Sequence, residues 1–235
     1  MKNFIDLTQS KSVNYDEGLR VYMNNIYKYM SFALLITGLV AFITANTSFL
    51  LKLIFGTPLA IVVMLAPLFY VFYFTSKIWS MSPEKARNNL WIFSGIMGLS
   101  LTSIFLAYTS VSIVRTFFIT SATFAGMSLY GYTTKKDLNG LGSFLFMGLI
   151  GIAIAGLVNI FLKSAGMEFV ISILGVLIFT GLTAYDVQKL KRTYDYVGIN
   201  SDMREKVAII GALNLYMDFI NLFIMLLRFT GDNKR

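Results

Sequence analysis

The sequence predicts an all-α membrane protein with seven transmembrane helices, and three observations carry that prediction. Only 14% of its 235 residues are charged while 56% are hydrophobic, where a soluble domain carries roughly a quarter charged residues. The uncharged residues gather in long unbroken runs, and seven spans of about 20 residues would take up about 140 residues. The alternation of apolar and polar residues that a transmembrane barrel needs is absent.

The elements follow in order. Leu19, Tyr22, Met23, Ile26 and Met30 recur at helical spacing, predicting a short amphipathic helix along the inner membrane interface; a plain extension of the first span is the other reading. This stretch belongs to a tail of residues 1–28, mostly polar and followed by too long an apolar run to read as a cleavable signal. Tyr29 to Leu51 and Leu53 to Ser76 carry no charge and are long enough to cross about 30 Å of hydrocarbon. Pro58 begins the second span and Pro67 sits inside it, allowing a kink there. Asn88 to Val114 and Thr116 to Thr134 are separated by Arg115 alone, and a hairpin around Thr109-Ser110-Val111-Ser112 divides them most simply. Leu138 to Leu162 supplies the fifth span. Phe169 to Tyr185 and Val207 to Leu227 supply the last two, each with one acid, Asp186 and Asp218. The transmembrane domain thus covers 29–228, with a short tail of 229–235. Gly95, Gly98 and Thr102, and likewise Gly148, Gly151 and Ala155, line helix faces expected to pack closely.

Charge placement sets an expected orientation. Fourteen of the 20 basic residues fall in the N-terminal tail and the second, fourth and sixth connections, so the positive-inside rule puts the N-terminus in the cytoplasm. The net charge of +8 is therefore topology, and no nucleic-acid partner is expected. Seven crossings leave the C-terminus outside; a re-entrant last segment is the alternative, because the last helix ends in Arg228, Lys234 and Arg235.

The chain contains no Cys and no His. Disulfide frameworks, Cys or His zinc sites, thiol nucleophiles and imidazole-based triads are excluded, and no cofactor is expected. Of twelve carboxylates, only Asp186 and Asp218 lie within apolar sequence. A charged Asp at mid-bilayer costs about 2.5 to 3.5 kcal/mol, and protonating one at pH 7 costs about 4 kcal/mol. Neither state wins without a partner, which makes these residues natural proton-sensitive elements. On the last helix Gly211, Asn214, Asp218, Asn221, Met225 and Arg228 fall within an arc of about 100°, a polar stripe that should face protein or water. The sixth and seventh helices run antiparallel, so the two acids can meet and titrate as a pair. Protonation would then toggle a closed, proton-sharing packing and a charged, separated one. With the Asn214 and Asn221 amides the same oxygens could hold a hard cation weakly, since calcium wants about six to eight oxygens.

The stretches Tyr15-Asp16-Glu17-Gly18-Leu19-Arg20, Tyr130-Gly131-Tyr132-Thr133-Thr134-Lys135-Lys136-Asp137, Thr183-Ala184-Tyr185-Asp186-Val187-Gln188 and Asn214-Leu215-Tyr216-Met217-Asp218-Phe219-Ile220-Asn221 resemble the Bax inhibitor-1 family of transmembrane Bax-inhibitor-motif proteins, the first motif most like its bacterial branch. The resemblance implies seven helices with the last one central, a bacterial inner-membrane location, and a pH-sensitive calcium leak with Asp186 and Asp218 as the paired pH sensor. Calcium and protons are then the passing ions and the lipid bilayer the surroundings. Bacterial members also use a second-helix arginine as partner to the aspartates; no Arg lies between Leu53 and Ser76, leaving Lys77, Arg228 or Arg115 as candidate cationic latches.

Two other functions compete. A regulator that binds a membrane protease or cell-death component is compatible with everything above. An intramembrane aspartyl protease would also use two membrane aspartates, but Leu215-Tyr216-Met217 precedes Asp218 where those enzymes carry Gly-x-Gly, and no Pro-Ala-Leu triplet is present. The expectation is therefore no enzyme.

Overall fold

The last helix of the chain is the one the others surround. The computed structural model describes residues 2–197 and 201–234, with side chains from residue 17 onward except that of residue 197. The side chains of Lys2, Lys11, Tyr15 and Asp16, and all of Arg235, fall outside the described residues. In chain order the helices are α1 (Lys2–Asn46), α2 (Ser48–Phe55), α3 (Leu59–Lys77), α4 (Pro83–Ala107), α5 (Ser110–Thr133), α6 (Asn139–Leu162), α7 (Ala165–Val197) and α8 (Ser201–Thr230). All but α2 contain a stretch long and apolar enough to cross a membrane. The chain is an integral, multi-pass, all-α protein, as its composition predicts.

Helix α8 packs against α7, α1, α5 and α4, and buries Ile209, Leu213, Leu215, Tyr216, Leu222 and Leu227 almost completely. Its centrality agrees with the family resemblance. Helices α3 and α6 stand at the periphery, with Phe69, Phe72, Phe144 and Phe161 exposed. In water such a belt would drive aggregation, whereas lipid tails cover it at no cost.

Helix starts follow local chemistry. Ser82 accepts the Lys85 N–H ahead of Pro83 and Glu84, and Thr109 accepts the Ser112 N–H. Each is an N-cap whose oxygen satisfies a backbone donor of the first turn. The hairpin expected around Thr109 is therefore present, with α4 ending at Ala107 and α5 starting at Ser110.

Three expectations are corrected. Of the two readings of the stretch before the first span, the extension replaces the interfacial helix: α1 is continuous through residue 28, and Leu19, Tyr22, Met23, Ile26 and Met30 join one core cluster with Leu90, Phe93, Leu190, Ile209 and Leu213. Protein offers that stripe full burial, which the interface does not. The first connection also contains the short α2, absent from the sequence reading. Of the small residues, Gly98 meets the Thr37 carbonyl and Val40 of α1 and Gly148 meets Ile178, but a side chain at Gly95 or Gly151 would enter open space. Small residues permit close approach without enforcing it.

The C-terminal tail folds back on the α4–α5 hairpin. The Thr109 N–H donates to the Asp232 carbonyl (3.0 Å) and the Lys234 N–H to the Ala107 carbonyl (2.8 Å), while Ser112 Oγ donates to Asp232 Oδ2 at 3.0 Å. The end of α8 thus shares a face of the bundle with that hairpin, as a full crossing requires, and the re-entrant alternative is not seen.

Candidate functional site

Helix α7 does not stop at Tyr185, where its charge-free run ends, but continues to Val197. Asp186 is thereby held on a regular helix, one turn before Lys189 and the Lys191-Arg192 pair that mark the basic face of the bundle. Three ties lock this end of α7. Gln188 accepts the Leu138 N–H through Oε1 (2.9 Å) and donates through Nε2 to the Lys136 carbonyl (2.7 Å). Lys191 Nζ donates to the Tyr132 carbonyl at 3.0 Å, and Arg192 pairs with Asp137 at 2.9 Å. Higher up, Gly131 of α5 lies directly against the backbone of Ala184, and Gly142 of α6 against the Tyr185 ring.

Against this fixed α7, α8 presents Asp218. Its helix is fixed two residues earlier by Tyr216, fully buried, whose hydroxyl meets Thr37 Oγ1 at 2.7 Å. Thr37 in turn donates to the Ser94 carbonyl at 2.9 Å, so α1, α4 and α8 are joined at one point. The two aspartates then face each other across the α7–α8 seam, each near enough to act on the other's carboxyl. Asp218 is buried, and its Oδ2 has no hydrogen-bond partner among the described residues; Asp186 is only half-buried, on the side toward the basic face.

The remaining expected site residues divide. Asn214 and Asn221 are half-buried on the stripe that contains Asp218. The charged groups acting on Asp186 are Asp218 and Lys189, the latter with its Nζ 5.8 Å over the Tyr185 ring. None of the three expected latches is among the groups that act on the pair. Lys77 is exposed at the end of α3. Arg228 lies ten residues beyond Asp218, about 15 Å along the helix, beside a cavity of about 370 Å³ lined by Lys163 and Glu168. Arg115 donates to the Thr230 carbonyl at 2.8 Å at that same far face. Sequence alone singled out neither Lys189, the cation beside Asp186, nor Gln188 as a clamp; Gln188 closes the Thr183–Gln188 motif and Lys189 follows it directly.

The donor set is chemically sparse. Among the described residues no group of three or more His, Cys, Asp or Glu could hold a metal ion. Two carboxyls with two carboxamides nearby can exchange a proton and offer a passing hard cation a few oxygens, short of a tight calcium cage.

Comparison with known proteins extends these observations to the whole chain. Residues 19–235 match the family described as inhibitor of apoptosis-promoting Bax1. The chain is 45% identical over 227 residues to an uncharacterized protein of Rickettsia prowazekii, covering 97% of this chain and 96% of that one. It is 43% identical over 220 residues to the inner membrane protein YbhL of Escherichia coli, covering 92% and 94%. It is 42% identical over 231 residues to a protein of Borreliella burgdorferi, covering 98% and 99%.

Proposed function

The chain belongs to the Bax inhibitor-1 family, and from that premise we propose that it is a pH-sensitive calcium leak of a bacterial inner membrane, gated by Asp186 and Asp218 and not an enzyme. The N-terminus faces the cytoplasm in this reading, because the basic residues cluster on the face where α1 begins. The observation that carries the reading is the meeting of two carboxyls between α7 and α8, one of them buried with an unpartnered oxygen. With one proton between them the pair holds α7 and α8 together. Loss of that proton leaves two like charges in a low-dielectric site, which repel strongly and push the helices apart. Lys189, the cation beside Asp186, takes the part of the missing second-helix arginine by favouring the charged form of its neighbour. A separated pair, with Asn214 and Asn221 alongside, then gives calcium a weak resting place, which suits passage better than storage.

The test is calcium flux into liposomes at a series of pH values from about 5 to about 8. Wild-type protein should pass calcium with a pH-dependent rate. The Asp186→Asn, Asp218→Asn double variant keeps the hydrogen-bonding shape without the titration and should lose the pH response. Unchanged flux and unchanged pH response in that variant would end the proposal; no flux at all, with a stable co-purifying membrane protein, would favour the regulator instead.

A further inference from the structure

Helix α1 packs on α4 and α8, and α5 packs on α7 and α8. Between α1 and α5 the wall of the bundle is open, leaving a cavity of about 980 Å³ with Phe219 of α8 at its floor. A second cavity of about 460 Å³ shares Leu34, Gly38, Phe117 and Phe219 with the first and carries the groove on toward Ser110. From Arg20 to Leu39 along α1 the first cavity alone extends about 28 Å, nearly the thickness of the hydrocarbon layer.

The polarity of the groove runs one way. Among the described residues Arg20 is the one charged side chain in the lining of either cavity, and it sits at the basic-face end beside Asn24, Tyr27 and Tyr132. A second cation stands behind Tyr132, where Lys191 Nζ lies 5.0 Å over the ring. Beyond this end the walls are leucine and phenylalanine with scattered serine and threonine hydroxyls. A cationic mouth at the membrane surface leading into an apolar trough open to the bilayer has the complementary shape and charge of a phospholipid.

We propose that the α1–α5 groove is a binding site for an anionic phospholipid, with the headgroup phosphate on Arg20 and the acyl chains laid along α1 and α5 toward Phe117. The headgroup lies in the leaflet at the basic face. A zwitterionic lipid brings a compensating cation to the same mouth and is held less well; an apolar partner helix would have no use for Arg20. Proton chemistry at Asp186 and Asp218 plays no part in this site.

Native mass spectrometry of the full chain, released from detergent with phosphatidylglycerol or phosphatidylcholine of the same acyl composition, tests it. Wild-type protein should retain phosphatidylglycerol preferentially. Arg20→Gln should reduce that preference about fivefold, the worth of one basic residue at a membrane surface. Gly38→Phe grows from a position with open space around it into the trough, and should lower retention of both lipids while melting like wild type. Equal retention of the two lipids by wild type would overturn the proposal, as would undiminished phosphatidylglycerol on a folded Gly38→Phe protein.

Discussion

Helix α5 takes part in two seams that were built in opposite ways. Toward α7 and α8 it turns Ser112, Thr116, Thr120 and Gly131, all fully or nearly buried, and lets the α7 backbone approach at Gly131 to the limit of contact. Toward α1 it turns Phe117 and Leu129, both well exposed, with an open groove between. The sealed seam runs beside the helix pair that carries Asp186 and Asp218; the open seam leads to apolar side chains and one arginine. In the proposed gate the two acids must come close enough to share a proton, and a tightly packed seam beside them holds that geometry. A lipid site needs the reverse, a gap that the bilayer itself can fill.

The sharpest way to break this comparison is to add the same methyl group to a glycine of each seam. In Gly131→Ala the new carbon would collide with the Ala184 backbone, which cannot swing aside, and the expected loss is about 1–3 kcal/mol from overpacking. In Gly38→Ala the carbon meets nothing within 4 Å, and the helix should gain about 0.5–1 kcal/mol from reduced backbone freedom when unfolded. Thermal unfolding in detergent should therefore move in opposite directions for the two variants. A shift of the same sign and size in both would mean that the seams are alike.

A smaller effect is expected where the sealed seam is tied rather than packed. Gln188→Ala takes the partner away from two backbone groups of the α5–α6 connection, the Leu138 N–H and the Lys136 carbonyl. Lys136 is exposed and its bond to Gln188 only part-buried, so water can take over part of what is lost, and the net cost should fall below that of Gly131→Ala. The melting temperature should fall, and hydrogen exchange at the Leu138 amide should quicken before exchange in α8 does. Unchanged protection at Leu138 would show that the tie contributes nothing.

Much of this architecture was legible because a membrane leaves few choices. Span lengths, the Thr109 hairpin and the two isolated acids follow from where charge is absent, since each misplaced charge is expensive in lipid. The destination of a face is another matter. Leu19, Tyr22 and Met23 show an apolar stripe of helical period, but periodicity alone does not distinguish a lipid interface from a protein core, and α1 took the core. Gly95 and Gly98 look equivalent in the chain, yet only Gly98 meets another helix. Arg228 could be discounted from the sequence, since ten residues of helix put it about 15 Å beyond Asp218, whereas Lys77 lies on a different helix, α3, whose place relative to α8 only tertiary packing decides. Gln188 could be read as a polar residue near an interface; its partners lie about 50 residues away on the fourth connection, and which helix that connection touches is set by packing alone.

The gentlest test reaches the outer edge of the sealed seam, at Asp137. Its carboxyl is held below the usual carboxylate range, first by the backbone N–H of Asn139, then by the Arg192 guanidinium. The donor distances are 3.0 Å from the Asn139 N–H and 2.9 Å from Arg192. A carboxyl with a lowered folded-state value stabilises the fold above its unfolded value, about 3.9, and that stabilisation is lost as pH falls through the folded value. Asp137→Asn can still accept the Asn139 N–H through its amide oxygen, so the variant removes the charge and little else. Both partners are largely exposed, at 42% and 63%, and water and salt screen such a pair. The difference in melting temperature between wild type and Asp137→Asn should accordingly be smaller than that for Gln188→Ala, present at neutral pH, reduced by added salt, and vanishing below the ordinary carboxylate range. A difference that grew on acidification would mean that the Asp137 charge works against the α5–α6 connection rather than holding it to α7.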